Sequence, residues 1–149
     1  MKRIIIKEEE CDGCKNCSLA CMQAHRTNSG TLYDLNLTDL ANESRNFILA
    51  VDSGYAPLFC RHCDEPECVR ACISGAMTKD PESGIVSYDE EVCAKCFMCV
   101  MSCSFGILKP DRATSQKVVK CDFCAQDGYD PSCVKSCPKK AILIEEVTA

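Results

Sequence analysis

The sequence predicts a small α+β protein in which short strands and helices are joined by long loops. Sixteen of its 149 residues are cysteine, so much of the hydrophobic fraction is thiol and the ordinary apolar core is thin. β-Branched runs near both ends and in the middle of the chain predict short strands. A long stretch without cysteine, residues 22–59, predicts an extended connection inside this small fold.

The cysteines fall into four groups of four, each of which begins with C-x2-C and ends in C-x3-C. The groups are Cys11, Cys14, Cys17 and Cys21; Cys60, Cys63, Cys68 and Cys72; Cys93, Cys96, Cys99 and Cys103; and Cys121, Cys124, Cys133 and Cys137. Groups one and three have the C-x2-C-x2-C-x3-C spacing that binds a [4Fe-4S] cube, and the other two have a longer gap before the third cysteine. Sixteen thiolates saturate four cubes with none left over, so all sixteen are predicted iron ligands and the chain is predicted to be an electron carrier.

Two other uses of cysteine compete with this interpretation. A disulfide-stapled secreted protein is disfavoured because the first eight residues, M-K-R-I-I-I-K-E, contain no long apolar segment and no small-residue cleavage site. Structural zinc also uses C-x2-C pairs, but it takes two pairs from separated segments. Triplets at i, i+3 and i+6 suit the corner of a cube better than a tetrahedral ion. A structural zinc module is kept as the remote alternative.

Charge and hydropathy exclude several other classes of protein. The net charge of −5 gives no basic surface for nucleic acid, and no apolar stretch is long enough to insert into a membrane. The Lys2-Arg3 pair is not a twin-arginine export signal, so a cytoplasmic location is expected. Because the core is thin, we expect the chain to be largely unfolded without its clusters.

The elements before the second cysteine group follow from local sequence. Residues 3–7 predict an edge strand that leads into the first cysteine loop, and Cys17 to about Arg26 predicts a short helix that carries Cys21. Residues 22–59 form the insertion, polar around 27–30 and 42–46, with a strand expected at 47–51. The insertion is either a docking segment for a partner protein or a passive loop that covers clusters.

The elements after the second cysteine group are equally short. Residues 75–78 and 84–88 flank the turn sequence K-D-P-E-S and predict a β-hairpin. The last group is followed by Pro138 and by a predicted final strand at 141–144. Proline completes the bacterial motif only in this group, since Met22, Ile73 and Ser104 stand at the equivalent positions.

These motifs resemble a known family over nearly the whole chain. They are the four cysteine groups in order, F-C-R-H-C-D-E-P-E-C at 59–68, Y-D-E-E-V-C at 88–93 and K-C-D-F-C at 120–124. The chain resembles the four-cluster polyferredoxin subunits of dimethyl sulfoxide reductases, formate dehydrogenases and formate hydrogenlyases. The N-E-S-R-N sequence at 42–46 and the short chain resemble most closely the small iron–sulfur protein that accompanies nickel carbon-monoxide dehydrogenases.

The resemblance implies two bacterial-ferredoxin-like modules of βαββαβ type with nested pairing. One module would comprise residues 1–58 and 110–149, built from groups one and four, with the insertion at 22–59. The other would comprise residues 59–109, built from groups two and three. Sequential pairing, one with two and three with four, stays open as the alternative.

The resemblance also implies which cysteines share a cube, because the fourth cysteine of each run binds the cube of the partner run. The implied sets are quartet A (Cys11, Cys14, Cys17, Cys137), quartet B (Cys121, Cys124, Cys133, Cys21), quartet C (Cys60, Cys63, Cys68, Cys103) and quartet D (Cys93, Cys96, Cys99, Cys72).

Function is expected to be electron relay without catalysis. Four thiolates on each cube leave no open iron for a substrate, and no Gly-rich dinucleotide fingerprint is present. The resemblance implies that electrons pass between a carbon-monoxide dehydrogenase and a second redox partner, a hydrogenase or a flavin NAD(P) oxidoreductase. The alternative partner is a formate, aldehyde or molybdopterin/tungstopterin oxidoreductase.

Several residues near the cysteines have more modest predicted roles. His25 and His62 are expected to pack in loops or at the surface, and the Asp64, Glu65 and Glu67 carboxylates to form a solvated loop. Phe97, Met98, Met101 and Phe105 are expected to shield a cluster or to pack in the core. The cations beside ligand cysteines either raise the potential of a nearby cube or are simply solvated; they are Lys15, Lys95, Lys120 and Arg61.

Overall fold

Short strands and helices joined by long connections make up the chain, as the sequence predicts. The computed structural model describes residues 2–26 and 30–147, so residues 27–29 of the insertion and both chain ends lie outside the description. The strands are β1 (Lys2–Ile6), β2 (Phe47–Val51), β3 (Gly54–Leu58), β4 (Met77–Lys79), β5 (Val86–Tyr88), β6 (Lys109–Pro110), β7 (Val118–Val119) and β8 (Ile142–Glu146). The helices are α1 (Asn16–Ala24), α2 (Glu67–Arg70), α3 (Met98–Met101) and α4 (Ser132–Lys135). The α+β class is therefore confirmed.

Within the described residues the strands form four separate two-stranded antiparallel sheets, and two of these show a nested arrangement. Strand β1 pairs with β8 in a register that places Lys2 opposite Glu146 and Ile6 opposite Ile142, so the two ends of the chain share one sheet. Strands β4 and β5 form the predicted hairpin between cysteine groups two and three. The hairpin turn is closed by the Asp80 amide, which donates to the Ile85 carbonyl at 2.9 Å.

The four helices pack in the same nested pairs. Helix α1, which carries Cys17 and Cys21, packs against α4, which carries Cys133. Helix α2, which carries Cys68, packs against α3, which carries Cys99. Helices from the first and last cysteine groups are thus adjacent, and so are helices from the two middle groups.

Two apolar cores follow this division, and both contain thiols. The first consists of Ile4, Cys17, Phe59, Ile85, Phe123, Cys133 and Ile142. The second consists of Cys60, Met77, Cys99, Ile107, Leu108 and Val118. Each core also contains a residue from the other nested pair of segments. Ile85, between cysteine groups two and three, lies in the first core, and Val118, just before group four, lies in the second. The two halves consequently share a packed boundary.

The β2–β3 and β6–β7 hairpins were not expected from the sequence. Strand β2 was predicted, but its partner β3 contains Gly54 and Pro57, both unfavourable in strands, and so gives no local signal. Strands β6 and β7 have two residues each, which is too short for any periodic pattern. Both hairpins form because tertiary contacts hold them.

The β2–β3 hairpin lies over the first cysteine loop. Gly13 adopts φ +72°, and a Cβ atom at this position would lie 2.4 Å from the ring of Tyr55 in β3. Glycine is therefore required here both for the left-handed backbone and for the close approach of the ring. The second half of the insertion is an ordered cover over this loop.

Candidate iron–sulfur centres

The cysteine loops are shaped by residues with left-handed backbone conformations. Such residues stand between or directly beside the cysteines; they are Lys15, His62, Lys95, Phe97, Phe123 and Cys124, with φ between 44° and 61°. A left-handed residue beside right-handed neighbours turns consecutive backbone N–H groups toward one concavity, which favours a bound anion. The third cysteine of each group then lies in a short helix, so that each loop curls around a small space.

Three of the four quartets each line one cavity. Cys11, Cys14, Cys17 and Cys137 of quartet A lie around one, which the β2–β3 hairpin also lines through Ile48 and Pro57. Cys60, Cys63, Cys68 and Cys103 of quartet C line a second. Cys72, Cys93, Cys96 and Cys99 of quartet D line a third. In each case the structure brings in one cysteine from a distant group.

The thiols of quartet B are brought together by the packing of α1 on α4. Burial raises the pKa of Cys133 strongly, and its neighbours Cys121, Cys21 and Cys124 raise it further. Cys133 and Cys17 of quartet A lie in the same apolar core, so quartets A and B are side by side. The four thiols of each quartet are therefore neighbours, although they come from two different cysteine groups.

Burial disfavours ionisation of these thiols in the metal-free chain. It raises the pKa of Cys17 and of Cys68 to about 11, and that of Cys121 to about 12. Nearby thiols add to the effect in each case. In a bound cluster the sixteen cysteines would act as thiolate ligands, and the positive charge of the iron would offset the penalty of burying them. All sixteen cysteines are free, and their soft sulfur donors in fours fit an iron–sulfur cube.

Backbone amides point at several of the sulfurs. The amides of Lys95 and Phe123 each donate to the sulfur of the cysteine two residues earlier, Cys93 and Cys121, at 3.4 Å. Two amides farther along the chain also donate to cysteine sulfurs. The Arg45 amide donates to Cys21 at 3.3 Å, and the Met77 amide donates to Cys72 at 3.4 Å. Such N–H···S contacts stabilise negative charge on sulfur and tune the potential of a bound cluster.

The segment 43–46 of the insertion fastens the first helix and the last cysteine loop together. Asn46 is buried, accepts a hydrogen bond from the Ser18 hydroxyl at 2.6 Å and donates to the Cys17 carbonyl at 3.4 Å. Arg45 forms an ion pair with Asp122 at 2.6 Å. No local pattern predicts a role for these residues in holding the fold, because their partners lie far away along the chain.

Glu43 fastens the insertion to the β6–β7 hairpin. Its side chain is 5% exposed. Its Oε2 atom lies 3.0 Å from Lys109 Nζ, and the two form an ion pair whose geometry is not that of a hydrogen bond. Its other oxygen accepts from the Arg112 amide at 2.5 Å. This buried anchor separates the ordered half of the insertion from the exposed residues that precede it.

His25 is a partly buried structural residue, in line with the loop-packing role predicted from the sequence. Its Nδ1 atom bonds the Cys21 carbonyl at 2.7 Å, and its Nε2 lies 3.0 Å from Asp122 Oδ1. Burial alone would lower the pKa of His25, but hydrogen bonds with Asp122, Cys124 and Cys21 raise it to about 11. The imidazolium and the Asp122 carboxylate thus join α1 to the last cysteine loop.

His62 is buried, with 2% exposure, and lines a cavity together with Ile107 and Leu108 of the second core. Its Nδ1 accepts a hydrogen bond from the Val86 amide at 2.9 Å, so the ring proton resides on Nε2. Its ring meets Phe123 edge to face with the centroids 5.6 Å apart. Burial and the nearby charge of Lys120 lower the pKa of His62 to about 3, so the ring is neutral.

The remaining predicted residues differ in exposure. Asp64 is exposed but pairs with Arg3 and Lys79, while Glu65 and Glu67 are exposed beside Arg70.

Met101 is 80% exposed, too open to shield a cluster, whereas Phe97 packs against the second core. Lys15 and Lys95 are exposed, Arg61 stacks over the Phe105 ring at 5.6 Å, and Lys120 is buried.

These centres define an iron–sulfur protein, and comparison with known proteins gives its family. Residues 51–147 match the 4Fe-4S dicluster domain, and the chain belongs to this family. Its cofactors are [4Fe-4S] clusters, and its sixteen cysteines fit several of them. The chain is an electron carrier rather than a catalytic enzyme. None of the helices in the described ranges is long and apolar enough to cross a membrane.

Three curated relatives illustrate the similarity. The B subunit of the anaerobic dimethyl sulfoxide reductase of Escherichia coli is 34% identical over 92% of this chain and 69% of its own length. An iron–sulfur protein of Rhodospirillum rubrum is 32% identical over 98% of this chain and 83% of its own length. The beta subunit of the NADH-dependent phenylglyoxylate dehydrogenase of Aromatoleum evansii is 35% identical over 89% of this chain, which spans only 28% of that relative.

Proposed function

We propose that the chain relays single electrons through four [4Fe-4S] cubes, each held by one of quartets A to D. The observation that carries this proposal is the gathering of all sixteen thiols into four sets of neighbours, with no cysteine left over. The pairing of β1 with β8 and of α1 with α4 supports the nested modules, 1–58 with 110–149 and 59–109. Sequential pairing gains no comparable support.

The neighbour relations of the quartets support a linear order A–B–C–D for the relay. Cys133 of quartet B lies in the same apolar core as Cys17 of quartet A. Cys121 of quartet B packs against the second core, which contains Cys60 of quartet C. Quartets C and D are joined by the packing of α2 on α3. The two exposed cysteines belong to the end quartets, one to A and one to D. Electrons therefore enter and leave at the cubes of A and D.

A molybdopterin oxidoreductase is the partner best supported by the comparisons. The B subunit of the dimethyl sulfoxide reductase aligns with nearly the whole chain, whereas no relative named above is called part of a carbon-monoxide dehydrogenase. The molybdopterin alternative thus replaces carbon-monoxide dehydrogenase as the leading hypothesis. A hydrogenase or a flavin oxidoreductase as second partner, and a cytoplasmic location, stay predictions from the sequence.

Iron and sulfide analysis tests the relay itself. Protein purified without oxygen is expected to contain four irons and four acid-labile sulfides for each of the four quartets. Dithionite reduction should bleach the cluster absorbance and give electron paramagnetic resonance (EPR) signals of reduced cubes. Zinc without sulfide would instead establish the structural module and refute the relay.

The exposed half of the insertion is the proposed docking segment. Tyr33 is 98% exposed and Leu37 is 62% exposed, and both precede the Glu43 anchor. The double variant Tyr33→Ser, Leu37→Ser should slow electron exchange with the partner about tenfold or more, because a few side chains, tyrosine prominent among them, carry most of the energy of an interface. Stopped-flow reduction by a molybdopterin oxidoreductase and by carbon-monoxide dehydrogenase, at equal protein concentration, would identify the partner.

The matched control is Leu49→Ser, which changes an apolar residue of similar exposure in the anchored β2 strand of the same insertion. It should exchange electrons at the normal rate. Substitution is preferable to deleting residues 32–43, because a deletion would also remove the buried Glu43 ion pair with Lys109. Full exchange rates in the double variant, with its iron content intact, would show that the segment only covers the protein.

A further inference from the structure

Two buried polar side chains, Lys120 and His62, meet at the backbone of Val86, where quartet B faces quartet C. Lys120 comes from the last cysteine loop, His62 from the second, and Val86 from strand β5. The Val86 amide donates to His62 Nδ1, and the Val86 carbonyl accepts from Lys120 Nζ. Both side chains are therefore fixed on one residue at the boundary between the two proposed modules.

Lys120 is a buried cation whose partners are neutral. It is 5% exposed, and its ammonium donates to the Val86 carbonyl and to the Cys121 carbonyl, the latter at 2.7 Å. Across residues 2–26 and 30–147, no carboxylate lies within ion-pair distance of it. A buried ammonium without an anion is costly, since carbonyl dipoles only partly replace water. Cubes with four thiolates carry net negative charge, and they would supply the missing counter-charge.

Lys120 lies between the two adjacent quartets. Its ammonium donates to the carbonyl of Cys121, a member of quartet B, at 2.7 Å. It also donates to the carbonyl of Val86, which lines the cavity of quartet C. A positive charge held at this position would stabilise negative charge on sulfur on both sides of the boundary.

His62 has one nitrogen satisfied and one that lacks a partner. Val86 occupies Nδ1, while Nε2 is buried and has no hydrogen-bond partner in the part of the chain that the structure describes. A buried N–H without an acceptor destabilises the fold, so an acceptor is expected beside it. His62 lines the cavity of quartet C together with Cys60 and Cys63. A sulfur of the cube in that cavity is the acceptor that this position offers.

We propose that Lys120 raises the reduction potentials of the cubes in quartets B and C, and that His62 raises the potential of the cube in quartet C alone. Each cube gains one electron on reduction, and a fixed positive charge or an N–H donor beside it stabilises the added negative charge. The two residues thereby favour occupancy of the middle of the relay by an electron. The inference rests on the proposed assignment of cysteines to quartets.

Anaerobic film voltammetry of the cluster-loaded protein tests this, because it resolves one-electron couples without assigning each to a cube. Lys120→Met should move two couples to lower potential, each by about tenfold or more in its reduction equilibrium, which is about 59 mV for one electron. His62→Phe should move one of those same two couples downward. The remaining couples should keep their wild-type potentials.

Two controls separate charge from packing. Lys120→Arg keeps the positive charge and should leave the couples near their wild-type potentials. Lys95→Met removes an exposed lysine beside Cys96, which water and salt screen, and should move a couple much less. Lys120→Gln keeps N–H donors without the charge, and it replaces Lys120→Met if that variant loads fewer cubes.

The possible outcomes lead to different conclusions. Wild-type protein with fewer than four couples would refute the four-cube relay itself. Four couples in wild type, with none moved by Lys120→Met or Lys120→Gln, would refute only the role of Lys120. Equal shifts in Lys120→Arg and Lys120→Met would assign the effect to packing and overturn the electrostatic proposal. A His62→Phe variant with unchanged couples would refute the hydrogen bond to the cube.

Discussion

Replacing Cys137 by serine is expected to damage the cube of quartet A and to leave the cube beside Cys121, Cys124 and Cys133 intact. Cys137 follows α4 in the chain but lines the same cavity as Cys11, Cys14 and Cys17. Serine oxygen is a harder ligand than thiolate, so the altered cube should be lost or should shift in potential. Iron analysis and EPR of the reduced protein measure this directly.

Double variants make the assignment independent of spectral overlap. Cys137→Ser combined with Cys11→Ser should lose no more iron than Cys11→Ser alone, since both ligands serve one cube. Cys137→Ser combined with Cys121→Ser should lose the iron of two cubes. The effects of substitutions at residues that bind one cofactor do not add, whereas the effects of substitutions at independent sites do.

Cys21→Ser is the matched variant for the other cube of the pair. Cys21 lies in α1 together with Cys17, yet it is a neighbour of Cys133 in quartet B. Cys21→Ser combined with Cys121→Ser should lose no more iron than Cys121→Ser alone. Cys21→Ser combined with Cys11→Ser should lose the iron of two cubes. The reverse pattern, in which Cys137 couples to Cys121 and Cys21 to Cys11, would overturn the nested arrangement.

Removal of the clusters is expected to unfold the chain. Both apolar cores contain cysteines that belong to quartets: Cys17 and Cys133 in the first, Cys60 and Cys99 in the second. Without iron these thiols leave two small cores, and the free energy of cluster binding no longer contributes to folding. Chelation under anaerobic, reducing conditions should abolish the far-ultraviolet circular dichroism signal and the cooperative thermal transition.

The stability of any structure that remains in the metal-free chain should fall as the pH rises. Burial raises the pKa of Cys17 from 9.0 to about 11 and that of Cys121 to about 12, so the folded metal-free chain holds these protons more tightly than the unfolded chain. This contribution to stability is complete below pH 9 and is lost as pH rises toward 12. A metal-free chain that keeps its cooperative transition at neutral pH would contradict the prediction of unfolding.

The amino-acid sequence by itself determined the class of cofactor and predicted its ligands, because those signals are local. The C-x2-C and C-x3-C spacings limit which side chains can surround one corner of a cube, and they require no knowledge of distant residues. Strand β1, helix α1 and the β4–β5 hairpin were likewise predictable from short runs and a turn sequence. The number of thiols limited the chain to a few possible functions.

Only the tertiary structure decided which distant groups meet. The pairing of β1 with β8 and the packing of α1 on α4 bring Cys137 to Cys11, and chain spacing alone is equally compatible with sequential pairing. The β2–β3 hairpin forms because its contacts hold it, although Gly54 and Pro57 oppose a strand.

The same distinction applies to charge. Lys15, Lys95 and Lys120 each stand directly next to a predicted ligand cysteine in the sequence. Their neighbouring residues do not indicate which of the three is buried. The fold leaves the first two in water and buries the third between two quartets. The strength of a charge depends on its dielectric surroundings, and those surroundings are supplied by residues remote in the chain.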